Sequence, residues 1–109
     1  MRQAKIIIDA NEGFTLDTLK ENMSIFEKTK VDLIEQPLSP ELDNQLLNFA
    51  SPIPICADES FHTISDFEEV SKKYSAINIK LDKTGGLSEA LLIANKAKKN
   101  GKIIMLGCM

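Results

Sequence analysis

Asp9, Glu35, Asp58 and Lys80 each end a short apolar run: KIIID (5–9), DLIE (32–35), ICAD (55–58) and INIK (77–80). The four charged residues are 26, 23 and 22 positions apart. Three carboxylates brought together repel one another unless a cation sits between them. Two Asp and one Glu, with no His or Cys beside them, form an all-oxygen donor set that suits Mg2+ or Mn2+ over zinc. Lys80, one run further on, would lie near such a cation and be partly desolvated. Both effects lower an ammonium's pKa toward the working range of a general base. A hard cation with an adjacent amine is a scheme for removing a proton α to a carboxylate. The cation offsets the second negative charge that develops there.

A regular scaffold must gather these residues. Each apolar run is followed by turn residues and a helix-like stretch, and a fifth run, KIIML (102–106), closes the series. This is an internal repeat of βα units. Thr15 is placed to cap a first helix, with Leu16, Leu19, Met23 and Phe26 on one face. Ser39-Pro40-Glu41 signals a second helix, with Leu42, Leu46 and Phe49 as its apolar stripe and Ser51-Pro52 as its stop. Ser65 and Glu68 have capping-box spacing for a third, which turns Phe67, Val70 and Tyr74 to the core. A fourth opens after Gly85-Gly86, presents Leu87, Leu91, Ala94 and Ala97, and ends at Asn100-Gly101.

Parallel strands in sequence order put all their C-terminal ends on one rim, whereas a doubly wound order would scatter them. The expected fold is therefore α/β, part of a (β/α)8 barrel with helices outside. A full barrel needs about 250 residues, so these 109 residues hold four and a half of eight units.

Composition narrows the function classes. At 43% hydrophobic and 27% charged residues, with net charge −3, the chain reads as one ordinary globular unit. It has no basic stripe for nucleic acid and no apolar run approaching the ~20 residues that span a bilayer. The segment MRQAKIIID is too short in its apolar part for a signal peptide and ends in an acid. Cys56 and Cys108 lack zinc or CxxC spacing and are expected to be small buried hydrophobes in a reducing cytoplasm. His62 reads as a loop or capping residue. The pair Gly85-Gly86 reads as a tight turn and not as a phosphate cradle.

The segments IIIDANEGF, LIEQPL, ICADES and INIKLDKTGGLSEAL resemble the catalytic barrel of the enolase superfamily, in its muconate-lactonizing and mandelate-racemase-like branch. The likeness runs from about residue 5 to 109. Within the branch, KLDKTGGLSEAL and MLGCM look most like dipeptide epimerases of the L-Ala-D/L-Glu type. The resemblance implies Asp9, Glu35 and Asp58 as Mg2+ ligands (Mn2+ as the alternative) and Lys80 as one of two acid/base lysines. The reaction implied is proton abstraction α to a carboxylate through a metal-stabilised enediolate. Asn11, Glu59 and Asn78 fall near the site, Asn78 sharing an inward face with Lys80.

The resemblance also implies that residues 1–109 correspond to strands three to seven of the barrel domain. The second lysine, the capping domain and the acidic pair that holds a substrate ammonium are expected outside this segment. From these follow a small-molecule carboxylate substrate, a dipeptide in the branch resembled most, and no epimerase activity for the segment alone. Self-association is expected through the open barrel edges. A lyase or cycloisomerase of the o-succinylbenzoate synthase or muconate type, or a non-catalytic remnant, are the alternatives.

Overall fold

The computed structural model describes residues 5–80 and 86–107. Five parallel strands lie in one sheet in sequence order: β1 (Ile7–Asp9), β2 (Leu33–Glu35), β3 (Ile55–Ala57), β4 (Ala76–Ile79) and β5 (Ile103–Leu106). Among the described residues three α-helices, α1 (Leu16–Lys28), α2 (Phe67–Lys73) and α3 (Leu87–Lys99), and a 3₁₀ helix between β2 and β3 connect them. This is the wall of a partial β/α barrel, as the repeat predicted.

Strand alternation separates the two faces. Ile8, Ile34, Ile55, Ala57, Ile77, Ile79 and Ile104 point outward and join Leu19, Met23, Phe67, Val70, Tyr74 and Ile93 in the main core. Burial of each such large side chain contributes about 1.5–3 kcal/mol. Leu33, Cys56 and Ala76 point inward and pack with Met105 as a thin second cluster. The same two-residue period carries Glu35, Asp58, Asn78 and Lys80 to the inner face, at the C-terminal ends of the strands. At the other end of this face, Ile7 and Ile103 are 44% and 45% exposed.

Helix boundaries follow local chemistry. Thr15 caps α1 reciprocally with Thr18. Gly101 at φ +70 ends α3 in a full Schellman arrangement, with Lys102 N–H donating to Ala97 and Gly101 N–H to Lys98. His62 is an exposed loop residue, and Cys56 is fully buried.

Three expectations are corrected. The second helix is a 3₁₀ helix, Asp43–Asn48, and Ser39 is not its cap. Asp43, only 1% exposed, is drawn instead into a buried polar cluster. The third helix is capped two residues early, by Thr63 and Asp66 with a 3₁₀ turn between, and not by Ser65 and Glu68. In α3 the core face is Ala90, Ile93 and Ala97. Leu87 and Leu91 are exposed and line, with Ala94, Ile104 and Leu106, an apolar groove of about 530 Å3 beside β5. Gly85 of the expected turn and Cys108 lie outside the described residues; Gly86, at φ +106, precedes α3.

Candidate active site at the strand ends

The rim is held by backbone hydrogen bonds between successive strand exits. Ala10, Glu12 and Phe14 N–H groups donate to the carbonyls of Glu35, Gln36 and Pro37, which pins the turn after β1 onto the exit of β2. Gln36 N–H donates in turn to Cys56 O on β3. The turn needs left-handed backbone at Asn11 and Glu12, and Gln36 adopts it too, at φ +42. Non-glycine residues in this region cost energy and persist where their surroundings fix them.

Glu35, Asp58, Asn78 and Lys80 meet on the inner face. Glu35 is 5% and Asp58 6% exposed. Asn78 Nδ2 donates to Glu35 Oε2 at 2.7 Å, and Lys80 Nζ to Asp58 Oδ2 at 3.1 Å. Asp9 is not drawn in. It is exposed, and its Oδ1 accepts the N–H of Asn11 at 3.2 Å in a local turn. Among the described residues no three His, Cys, Asp or Glu side chains converge closely enough to hold a metal ion. The strand register still sets Asp9 opposite Glu35, so the third carboxylate is a neighbour of the pair.

The electrostatics of the cluster fit a cation. Burial pushes the Glu35 carboxyl up to about 7; the bond from Asn78 opposes this, and the carboxylates of Asp58 and Asp9 add to it. Glu59 is also raised, chiefly by burial, with repulsion from Asp58, Glu12 and Asp9. Two buried oxygens, Glu59 Oε1 and Asn78 Oδ1, have no hydrogen-bond partner among the described residues. Oxygen donors that raise one another's pKa are the donor set a hard divalent ion relieves.

The lowered Lys80 pKa expected from the sequence presumes a neighbouring cation; in the metal-free cluster the shift has the opposite direction. The pKa of Lys80 is raised, because the hydrogen bond and charge of Asp58 outweigh its slight desolvation. Without a divalent ion the ammonium itself serves as the counter-charge of the cluster.

Two contributions were not anticipated. Gly107 is closely approached: a Cβ there would lie 2.5 Å from Asn78 Oδ1 and 3.0 Å from Lys80 Cε, so a side chain would have to displace Asn78. Gln36, fully buried, receives the N–H groups of Asp58 and Ser60 at Oε1, at 2.8 and 3.1 Å. The motifs EQP and ADES contain these partners, but the pairing spans 22 and 24 residues and no local spacing reveals it.

Comparison with known proteins identifies the family. The family model of enolase C-terminal domain-like proteins matches residues 1–109. An N-acetyl-D-glutamate racemase of Pseudoalteromonas is 52% identical over 97% of this chain and 34% of its own length. The L-Ala-D/L-Glu epimerase of Escherichia coli K12 is 46% identical over 97% of this chain and 33% of its own. A dipeptide epimerase from Methylococcus capsulatus, solved with Mg and the dipeptide L-Arg-D-Lys, superposes with a TM-score of 0.89 at 31% identity, over 97% of this chain and 31% of that one. The chain thus spans about a third of the length of these relatives. The family-model match over the whole chain, these identities and the sheet order show one thing: the chain belongs to the enolase C-terminal domain-like family.

Proposed function

We propose that this segment contributes the cation-binding rim and one acid/base of an enolase-superfamily isomerase of the epimerase and racemase type. The observation that carries the reading is the convergence of Glu35, Asp58 and Lys80 at three adjacent strand ends, with Lys80 Nζ 3.1 Å from Asp58. Asp9, Glu35 and Asp58 would hold Mg2+, or Mn2+ in its place, and the Methylococcus epimerase solved with Mg supports that choice. When bound, the cation offsets the second negative charge on a substrate carboxylate as the α-proton leaves.

Lys80 moves that proton. Its amine must be neutral to accept it, and the Asp58 bridge holds it charged until Asp58 is engaged elsewhere. Asn78 orients Glu35 from the inner face. A group on the opposite face of the α-carbon is needed to return a proton with inversion. Lys80 serves one face, so epimerisation takes a second acid/base besides it. Racemase and dipeptide-epimerase relatives point to a small carboxylate substrate, an N-acylated amino acid or a dipeptide. The buried Cys56 thiol suits a reducing, cytoplasmic setting.

Calorimetric titration of the chain with Mg2+ at pH 8, where Glu35 is ionised, tests the reading. Saturable binding that is lost in Asp58→Asn is expected. A folded chain with no binding refutes the cation site.

A further inference from the structure

The rim carboxylates are fixed by groups that face away from them. Gln36 directly follows Glu35 and sits in a left-handed conformation. Its backbone carbonyl accepts Glu12 N–H, its backbone N–H reaches β3, and its side-chain Oε1 accepts Asp58 N–H. One residue thereby ties together the exits of β1, β2 and β3. The orientation of its amide is what lets Oε1 face Asp58, so whatever fixes the Nε2 end fixes the rim.

Nε2 lies 2.9 Å from Leu38 O, 2.8 Å from Ser60 Oγ and 3.1 Å from Tyr74 Oη. Two hydrogens are shared among three acceptors. Ser60 Oγ donates to Asp43 Oδ2 at 2.6 Å and Tyr74 Oη to the same oxygen at 2.9 Å. With their hydrogens committed to Asp43, both hydroxyls present lone pairs to Gln36. Lys73 Nζ, at 2.7 Å from Oδ1, neutralises Asp43 from the opposite side. The bonds thus have one consistent direction, from the Gln36 amide through two hydroxyls to a buried carboxylate. A flipped Gln36 amide would set its carbonyl against hydroxyls with no hydrogens left to give and its NH2 against two N–H donors.

We propose that Asp43 is a positioning residue for the cation site. By polarising Ser60 and Tyr74 it locks the Gln36 amide in the one orientation that holds Asp58 and Glu35 at the rim. The consequence for metal affinity rests on the reading of those carboxylates as ligands; the positioning itself does not.

The test compares Asp43→Asn with the unsubstituted chain by amide hydrogen exchange at Asp58 and Ser60 and by Mg2+ calorimetry. An amide at position 43 offers N–H groups to the same hydroxyls and scrambles the direction of the bonds. Exchange at both amides is expected to quicken about tenfold beyond any change in global stability measured in urea. Mg2+ affinity is expected to fall about tenfold or more, as for outer partners of metal ligands. Ile93→Val, a destabilising core change on α3, should leave exchange at Asp58 tied to global stability alone. Should Asp43→Asn fail to fold, Tyr74→Phe removes one hydroxyl and keeps the ring, and the same two changes are expected at smaller size. Wild-type exchange at Asp58 and Ser60 in the folded variant overturns the proposal. An unsubstituted chain that binds no Mg2+ refutes the cation reading, and the exchange rates still decide the brace.

Discussion

Glu35 should destabilise the metal-free chain above neutrality, and removing its charge should reverse this. The carboxyl titrates near 7 in the folded chain against an ordinary value of 4.5. Below pH 4.5 it is protonated in both folded and unfolded states and has no effect. Between those values the folded state holds the proton that the unfolded state has lost, so stability falls as pH rises. Above 7 the full cost is present. At 1.36 kcal/mol per unit this is about 3 kcal/mol, a large share of a small domain's stability. Glu35→Gln keeps the shape and can still accept from Asn78. Urea unfolding in the presence of a chelator is the assay. The variant should match the parent at pH 4 and exceed it by about 3 kcal/mol at pH 8, while losing Mg2+ binding. Equal stability at pH 8, or a less stable variant, would show that Asn78 and Lys80 already compensate the buried charge. Repulsion within the cluster would then be no ground for cation binding.

Gly107→Ala puts a methyl into the space of Asn78 and should cost about 1–3 kcal/mol by overpacking; a chemical-shift titration should also show Glu35 titrating higher as its Asn78 donor is displaced. Gly101→Ala, at φ +70, should lower stability by about 1–2 kcal/mol with no effect on the rim, read by thermal unfolding. The exposed inner-face residues Ile7 and Ile103 should drive association between copies. Sedimentation should show a concentration-dependent mass that the double change to Lys reduces.

The strands were legible because alternation and a recurring terminal charge are properties of a few adjacent residues. Ile77, Asn78, Ile79 and Lys80 show both faces within one run. The 3₁₀ helix was misread because Ser39-Pro40-Glu41 is a sound start signal locally, while Asp43 is held by Ser60, Lys73 and Tyr74, far along the chain. The shifted cap before α2 reflects two overlapping patterns, Thr63 to Asp66 and Ser65 to Glu68; N–H groups of His62 and Thr63 both reach Asp66, which decides between them. In α3 apolar residues occupy two stripes, so periodicity alone could not tell the packed face from the open one. The site residues were named from their strand ends. That Gln36 organises the rim depends on contacts between turns that follow different strands.

In this sheet every strand pairs with the strand that precedes it in the chain. No strand must wait for a distant partner, so each new β/α unit can dock on the one already formed. Folding from the N-terminus during synthesis would therefore proceed by addition, with short loop closures at every step. The price of this order is an edge that stays sticky for as long as it is unpaired, and β5, with the apolar groove beside it, is an edge strand of this sheet.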